Sequence, residues 1–205
     1  MEAYKTLAHD GEGRYEEKKS VFLAYARAVK SESEASAFIA SVKKKYPDAR
    51  HHVYAYLLRE GNATRYSDDR EPQGTAGMPL LELLRHGELC DACLVVVRYF
   101  GGTLLGTGGL VRAYTNAGKA ALEDAGTLCV RPYHRVSVSL CYADHVRVRS
   151  LFERDGVRVT DTVYGESVTV EAYVPLEDYE GFCAQMTDAS NGRAAVTSLG
   201  IVAEG

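Results

Sequence analysis

At 205 residues and 22.4 kDa, with 46% hydrophobic and 25% charged residues, the chain has the composition of a globular protein with one large or two small domains. This balance excludes the disordered and fibrous classes. Charges occur throughout the first 20 residues and no run approaches 18 apolar residues, so we expect a cytoplasmic protein with neither a signal peptide nor a membrane span. Five scattered cysteines favour reduced thiols over a disulfide framework.

Charge is distributed unevenly along the chain. Residues 1–131 hold 18 Lys and Arg against 17 Asp and Glu, which is a net charge of +1, whereas residues 132–205 hold 6 against 11, which is −5. The second part is therefore a poor stand-alone binder of nucleic acid, because its charge repels phosphates at long range.

The pattern of residues 1–131 predicts a mixed α+β domain. The capping-box spacing of Ser31 and Glu34 predicts the start of a helix, and residues 93–97 form the continuous apolar run of a buried strand. The remaining predictions are strands at 4–8, 21–29, 52–58 and 127–130, a turn at 10–13, and helices at 78–84 and 110–122.

From residue 135 the pattern restarts as a second domain. Strand, helix, strand, strand, helix and strand are predicted at 135–142, 144–154, 157–164, 168–174, 176–188 and 194–202. This order is the βαββαβ arrangement of a ferredoxin-like domain. Arg131 to Tyr133 is the best candidate for a linker, so the domains are predicted as 1–131 and 132–205.

Most of the unusual chemistry lies in two polar, glycine-rich segments, residues 66–77 and 97–112. In the second, an apolar strand ends at Val97, and Gly108 and Gly109 are expected to open a helix. Backbone amides and the helix dipole would then face an anion, with Arg98 and Arg112 adding charge. The alternative is that the glycines only permit close packing. Neither the nucleotide P-loop nor the dinucleotide-binding fingerprint is matched.

Three motifs in these segments closely resemble the signature of the IMPACT/YigZ family. They are Ser67-Asp-Asp-Arg-Glu-Pro-Gln-Gly-Thr-Ala-Gly77, Val95-Val-Val-Arg-Tyr-Phe-Gly-Gly102 and Leu105-Gly-Thr-Gly-Gly-Leu-Val-Arg-Ala-Tyr114. The resemblance covers essentially the whole chain. It implies an N-terminal domain like the second domain of a small-subunit ribosomal protein, a C-terminal domain similar to one in elongation factor G, and a role in translational control with suspected nucleic-acid binding.

One departure from the family pattern matters for the first segment. The family usually has Asp-Asp-Gly-Glu-Pro, and here Arg70 replaces the glycine. If that position requires a positive φ, Arg70 costs on the order of 1 kcal/mol.

The acidic residues of the first segment have two interpretations. Asp68, Asp69 and Glu71 have the oxygen ligands for Mg²⁺ or a shared proton, but they can equally cap turns or pair with neighbouring arginines. His51 and His52 place one ring on each face of a strand, so at most one joins a site. The tyrosines at 54, 56, 66, 99 and 114 either stack on a ligand or pack internally.

The main functional hypothesis is a cytoplasmic, translation-associated protein that contacts RNA or a ribosome-associated protein through residues 65–77 and 98–114. We assign no catalytic residue, no metal site and no cofactor, and we expect no membrane partner. The candidate binding residues are His52, Asp68, Asp69, Glu71, Gly74, Thr75, Arg98, Gly101, Gly102, Gly106, Gly108, Gly109 and Arg112.

Two alternatives stay open at this point. The first is a metal-dependent hydrolase or phosphotransfer enzyme that uses Asp68 or Asp69, with Thr75 as a hydroxyl participant, although no nucleophile motif accompanies it. The second is a protein-interaction adaptor that docks partners on the sheet of the ferredoxin-like domain.

Overall fold

The structure is a computed structural model that describes residues 2–205, and it has the mixed α+β architecture predicted from the sequence. The chain forms two compact units, Tyr4–Cys129 and Val130–Gly205, the latter with residues 2 and 3. The first unit contains β1 (Tyr4–Leu7), β2 (Gly11–Glu17), β3 (Ser20–Ala28), α1 (Glu32–Lys45), β4 (His51–Leu57), β5 (Thr64–Ser67), α2 (Gly77–His86), β6 (Ala92–Tyr99) and α3 (Gly106–Ala125).

The first unit is built on a sheet with the strand order β2-β3-β6-β4-β5, in which all neighbours are antiparallel. β6 lies at the centre and is buried on both faces, as its continuous apolar run predicts. One face packs on α2 and α3, and the other packs on α1. The capping box of α1 is confirmed, because Ser31 Oγ accepts from Glu34 N at 3.2 Å and Glu34 Oε2 accepts from Lys30 N at 2.7 Å.

The turn predicted at residues 10–13 is wrong, because Gly11–Glu17 is a strand that pairs with β3. Its glycines are required by packing. A Cβ on Gly11 would lie 2.2 Å from Ala121 O, and one on Gly13 would lie 2.5 Å from Ala121 N. α3 therefore crosses β2 at a distance that only glycine permits, and the true turn of this hairpin is Lys18 and Lys19, with φ of 46° and 65°.

β7 (Thr127–Leu140) is one continuous strand that begins in the first unit and continues into the second. The linker predicted at residues 131–133 lies inside it, where Pro132 pairs with Ala203 and Tyr133 with Val202. Tyr133 is 3% exposed, so pairing and burial override the break that the proline suggests.

The second unit has the predicted βαββαβ order. After β7 come α4 (Tyr142–Phe152), β8 (Arg158–Tyr164), β9 (Val168–Pro175), α5 (Tyr179–Ala189) and β10 (Ala195–Glu204). The sheet order is β10-β7-β9-β8 with antiparallel neighbours. α4 and α5 cover one face through an apolar core that includes Val148, Phe152, Phe182 and Met186.

A buried carboxylate fastens the helical face of the second unit. Asp144 is fully buried, and its two oxygens accept from Arg193 Nη2 at 2.6 Å and from Arg193 Nε at 2.8 Å. Arg193 and the Cys141 thiol hold the pKa of Asp144 at about 2. The ion pair joins the beginning of α4 to the turn that follows α5.

The lowered pKa of Asp144 predicts a specific dependence of stability on pH. The ion pair stabilises the folded second unit fully above about pH 4, the ordinary range of an aspartate, and the stabilisation is lost as the pH falls towards 2. Asp144→Asn should therefore weaken this unit at pH 7 and differ little from the parent protein near pH 2. Residue-resolved amide exchange measures this for each unit separately. Asp155→Asn, which removes an exposed acid, is the control, and an equal effect of Asp144→Asn at both pH values would contradict the prediction.

Candidate functional site

The polar segments of the first unit converge where β4 and β6 meet. His51 on β4 and Phe22 on β3 both lie opposite Arg98 in the sheet. The alternation of the strands directs these three side chains to the face covered by α2 and α3. Arg98 is only 6% exposed, so the end of an apolar strand carries a buried guanidinium.

Arg98 is neutralised by a carboxylate from the first polar segment. Arg98 Nη1 donates to Glu71 Oε1 at 2.7 Å, and the hydroxyl of Tyr114 on α3 donates to the same oxygen at 2.8 Å. All three residues are buried. Burial, together with the Glu71 carboxylate, raises the pKa of Tyr114, which keeps the phenol a neutral donor.

The Arg98 side chain has two further features besides its ion pair with Glu71. Its Nε is buried and has no hydrogen-bond partner among residues 2–205. Its guanidinium carbon lies 5.5 Å from the centre of the Phe22 ring and 5.7 Å from that of Phe100. The expected phosphate contact by Arg98 would require it to leave Glu71, so we assign this arginine to holding the segments together.

Asp68 shapes the segment that leads into α2. Its Oδ1 accepts from the amides of Ala76 and Gly77 at 3.0 and 2.8 Å, and its Oδ2 accepts from Gly74 N at 2.9 Å. A carboxylate at a helix N-terminus satisfies amides that have no partner within the helix. This geometry favours the loop-capping interpretation of Asp68.

Asp69 fastens the same segment to β4. Its Oδ2 accepts from His52 N at 2.7 Å, while its backbone carbonyl accepts from His51 Nδ1 at 2.9 Å. The His52 ring points to the opposite face and donates from Nε2 to Tyr46 O at 2.9 Å. The two histidines therefore lie on opposite faces of the sheet, as the alternation predicts, and His52 is engaged on the α1 side.

Thr75 is also used internally. Its side chain is buried, and Thr75 Oγ1 donates to Pro72 O at 2.6 Å. Within residues 2–205, no three His, Cys, Asp or Glu side chains are grouped so that they could hold a metal ion. Because the oxygens of Asp68 and Asp69 accept from backbone amides, their contacts support a role in loop shape over the hydrolase alternative.

The second polar segment presents an exposed end of the unit. α3 begins at Gly106, earlier than the predicted start at Leu110, and its first turn has neither an acidic residue nor a side-chain cap. Gly102 and Gly106 have φ of 85° and 71°, which favours glycine at both. A Cβ on Gly101 would lie 2.1 Å from the backbone carbon of Lys19, so this segment packs directly on the β2–β3 turn.

Several side chains around this segment are exposed and unpaired. Phe100 is 50% exposed and Leu104 is 83% exposed. The exposed cations Lys18, Lys19 and Arg112 have no ion-pair or hydrogen-bond partner within the described part of the chain. We call these five residues, with the exposed backbone of residues 102–108, the glycine-loop surface.

Four members of the glycine-loop surface, Lys18, Lys19, Phe100 and Leu104, are not among the individual binding residues predicted from the sequence, although Phe100 and Leu104 lie in the predicted contact segment 98–114. The two lysines form the turn of the β2–β3 hairpin, whereas the sequence pattern predicts a turn at Gly11 and Gly13. The signal available in the sequence is the pair Lys18-Lys19, which lies between two segments of alternating apolar and polar residues.

Among the tyrosines predicted either to stack on a ligand or to pack internally, Tyr114 is completely buried and Tyr66 is 43% exposed.

Comparison with known proteins defines the class to which this architecture belongs. Residues 18–122 match the model of the Impact N-terminal domain, and residues 138–193 match a domain of unknown function, DUF1949. The chain belongs to the IMPACT family.

Particular relatives cover nearly the whole chain. IMPACT family member YvyE of Bacillus subtilis is 33% identical over 96% of this chain and 91% of its own length. IMPACT family member YigZ of Escherichia coli is 33% identical over 89% of this chain and 91% of its own length. A solved structure described as that of a hypothetical protein is 31% identical, covers 98% of both chains and has a TM-score of 0.62.

The departure at Arg70 predicts a gain in stability on restoring glycine. Arg70 has a φ of 72° and is exposed, so it occupies the left-handed region at a cost of about 1 kcal/mol. Arg70→Gly should raise the free energy of unfolding of the first unit by about that amount. Urea unfolding measures it, with Arg70→Ala as the control that removes the charge and keeps the Cβ. Equal stabilisation by both variants would contradict the conformational explanation.

The buried ion pair predicts strong coupling between Glu71 and Arg98. Arg98→Met removes the guanidinium partner of the buried Glu71 carboxylate, which keeps the Tyr114 hydroxyl and has His51 Nε2 at 4.0 Å, and should destabilise the first unit by about 3–5 kcal/mol. Adding Glu71→Gln removes the unpaired charge while keeping an acceptor for Tyr114. The double variant should therefore be more stable than Arg98→Met alone, as measured by urea unfolding. Additive losses from the two substitutions would count against a charge pair.

Proposed function

We propose that this IMPACT family protein acts in the control of translation by binding single-stranded RNA through the glycine-loop surface. The observation that carries the proposal is the grouping of three unpaired cations, an exposed aromatic ring and an uncapped helix start at one end of the first unit. The link to translation rests on the resemblance to the IMPACT family. Relatives include proteins named Protein IMPACT homolog in Dictyostelium discoideum and Saccharomyces cerevisiae.

The magnitudes favour an extended polyanion over a single phosphate group. A helix N-terminus contributes about 0.3–2 kcal/mol to one anion, whereas even a millimolar dissociation constant requires about 4 kcal/mol. Several contacts must therefore act together. A single strand offers repeated phosphates to Lys18, Lys19 and Arg112, while stacking of a base on Phe100 adds about 1–3 kcal/mol.

The buried network supports this surface from below. Arg98 lies beside the Phe100 ring while Glu71 holds its charge. Tyr114 lies on α3 and donates to the same Glu71 carboxylate, so this carboxylate is also bonded to the helix whose start is exposed. We infer that Asp68, Asp69, Glu71, Gly74, Thr75 and His52 maintain the shape of the surface and that Gly101 lets the β2–β3 turn pack beneath it. Gly102, Gly106, Gly108 and Gly109 then allow the RNA to approach the backbone.

A cytoplasmic location fits this proposal, since translation takes place there. No helix in residues 2–205 is long and apolar enough to cross a membrane.

Binding of a fluorescein-labelled oligouridylate across a salt series tests the proposal, with co-sedimentation on purified ribosomes as a second measurement. Three phosphate contacts predict that the logarithm of the binding constant falls with the logarithm of salt concentration with a slope of about −2. Lys19→Glu/Arg112→Glu should abolish the interaction in a folded protein. Phe100→Ala should weaken it roughly tenfold and Phe100→Tyr should preserve it, because the ring supplies the stacking face.

The matched control is Lys43→Glu/Lys44→Glu, which changes the net charge equally at exposed positions near the end of α1. It should retain binding apart from a small loss of general attraction. Failure of the parent protein to bind oligouridylate or ribosomes at low salt would reject the proposal. Equal losses from the two double charge reversals would also reject it, because binding would then follow net charge and not the glycine-loop surface.

A further inference from the structure

The second unit has an uncovered edge beside an open groove. β8 is the last strand in the order β10-β7-β9-β8, so one of its sides pairs with β9 and the other has no strand beside it among the described residues. All of its residues except Thr162 are exposed. An uncovered edge presents backbone donors and acceptors that match another extended chain.

The groove lies between β8 and α4 and has a volume of about 360 Å³. It is lined by Val159, Thr162 and Tyr164 from β8 and by His145, Arg149 and Phe152 from α4, with Glu153 and Val170 completing the lining. The three α4 residues occupy one helical face because their spacing is four and three residues. A strand added at the β8 edge would direct alternate side chains into this groove.

The groove favours apolar residues at those positions of the added strand whose side chains enter it. Val159 is 45% exposed and Tyr164 is 63% exposed. The Tyr164 ring meets His145 edge to face at 6.1 Å, and Arg149 is already paired with Glu153 at 2.7 Å. An apolar occupant would therefore cover exposed rings and methyl groups without displacing an ion from its partner.

The opposite face of β8 favours a basic partner. Asp161 lies directly across from Glu171 on β9, and Glu171 is paired with Arg135 at 2.8 Å. Asp161 is exposed and has no ion-pair partner within residues 2–205. A cation on the added strand would complete this row of charges, because opposite charges across a ladder attract.

These observations distinguish the occupant from a second copy of the chain or a nucleic acid. A two-fold antiparallel pairing centred on β8 would place Asp161 opposite its own copy, which is an unfavourable like-charge pair. The acidic residues of this unit and its charge of −5 also oppose a phosphate backbone.

We propose that the edge of β8 and the adjoining α4 groove bind an extended segment of a protein partner in which apolar and basic residues alternate. The segment joins the sheet as an additional antiparallel or parallel strand, its apolar side chains enter the groove, and its basic side chains face Asp161. This is a protein-binding surface independent of the glycine-loop surface.

The probe is an acetylated and amidated peptide of alternating valine and lysine, compared with a valine–glutamate peptide of the same length. Isotope-labelled full-length protein is titrated with each peptide and followed by residue-resolved NMR. The valine–lysine peptide should shift β8 and α4 signals and protect β8 amides from exchange. Asp161→Lys should weaken its binding roughly five- to tenfold and improve binding of the valine–glutamate peptide, because the cross-strand charge is reversed.

Glu177→Lys supplies the matched control, since it makes the same charge change at an exposed position outside β8 and α4. It should leave the peptide preference unchanged. Equal effects of both variants, shifts that map away from β8 and α4, or no binding of either peptide would overturn the proposal. It would also be overturned by concentration-dependent dimers with protected β8 amides, or by oligouridylate that shifts β8 and α4.

Discussion

The buried contact between Glu71 and Arg98 is the interaction on which the arrangement of the first unit depends. One carboxylate oxygen receives a guanidinium from the central strand and a hydroxyl from Tyr114 on the longest helix. Burying two charges is costly unless they pair in good geometry. Once Glu71 and Arg98 are buried, each therefore needs the other to balance its charge. Three segments distant in sequence therefore share one electrostatic contact.

This contact also separates residues that hold the surface from residues that can meet a ligand. The chemically suggestive acids and Arg98 are engaged inside the unit, while the exposed groups are simpler ones at the hairpin turn and around the start of α3. A motif can thus mark the scaffold of a binding surface and leave its contact residues outside the motif. Lys18 and Lys19 illustrate this, because they lie far from both polar segments in sequence.

Much of the fold follows from local patterns. The apolar run of β6 and the capping box of α1 require only neighbouring residues for their interpretation, and both are confirmed. The βαββαβ order of the second unit also follows from alternating periodicities. Gly11 and Gly13 could not be assigned in this way, because the reason for their presence is the backbone of Ala121 on a helix more than a hundred residues later. The burial of Arg98 likewise depends on Glu71, which periodicity within β6 does not reveal.

The fit of Gly101 against Lys19 makes exposure a poor guide to which positions can vary. Gly101 is half-buried and Gly102 is exposed, yet the first must lack a Cβ and the second adopts a backbone that side chains disfavour. In a library randomised at both positions, glycine would therefore be favoured at 101 and at 102, but for different physical reasons. A side chain at Gly101 would be accommodated only by moving the β2–β3 turn, so the structure couples substitutions in these two segments.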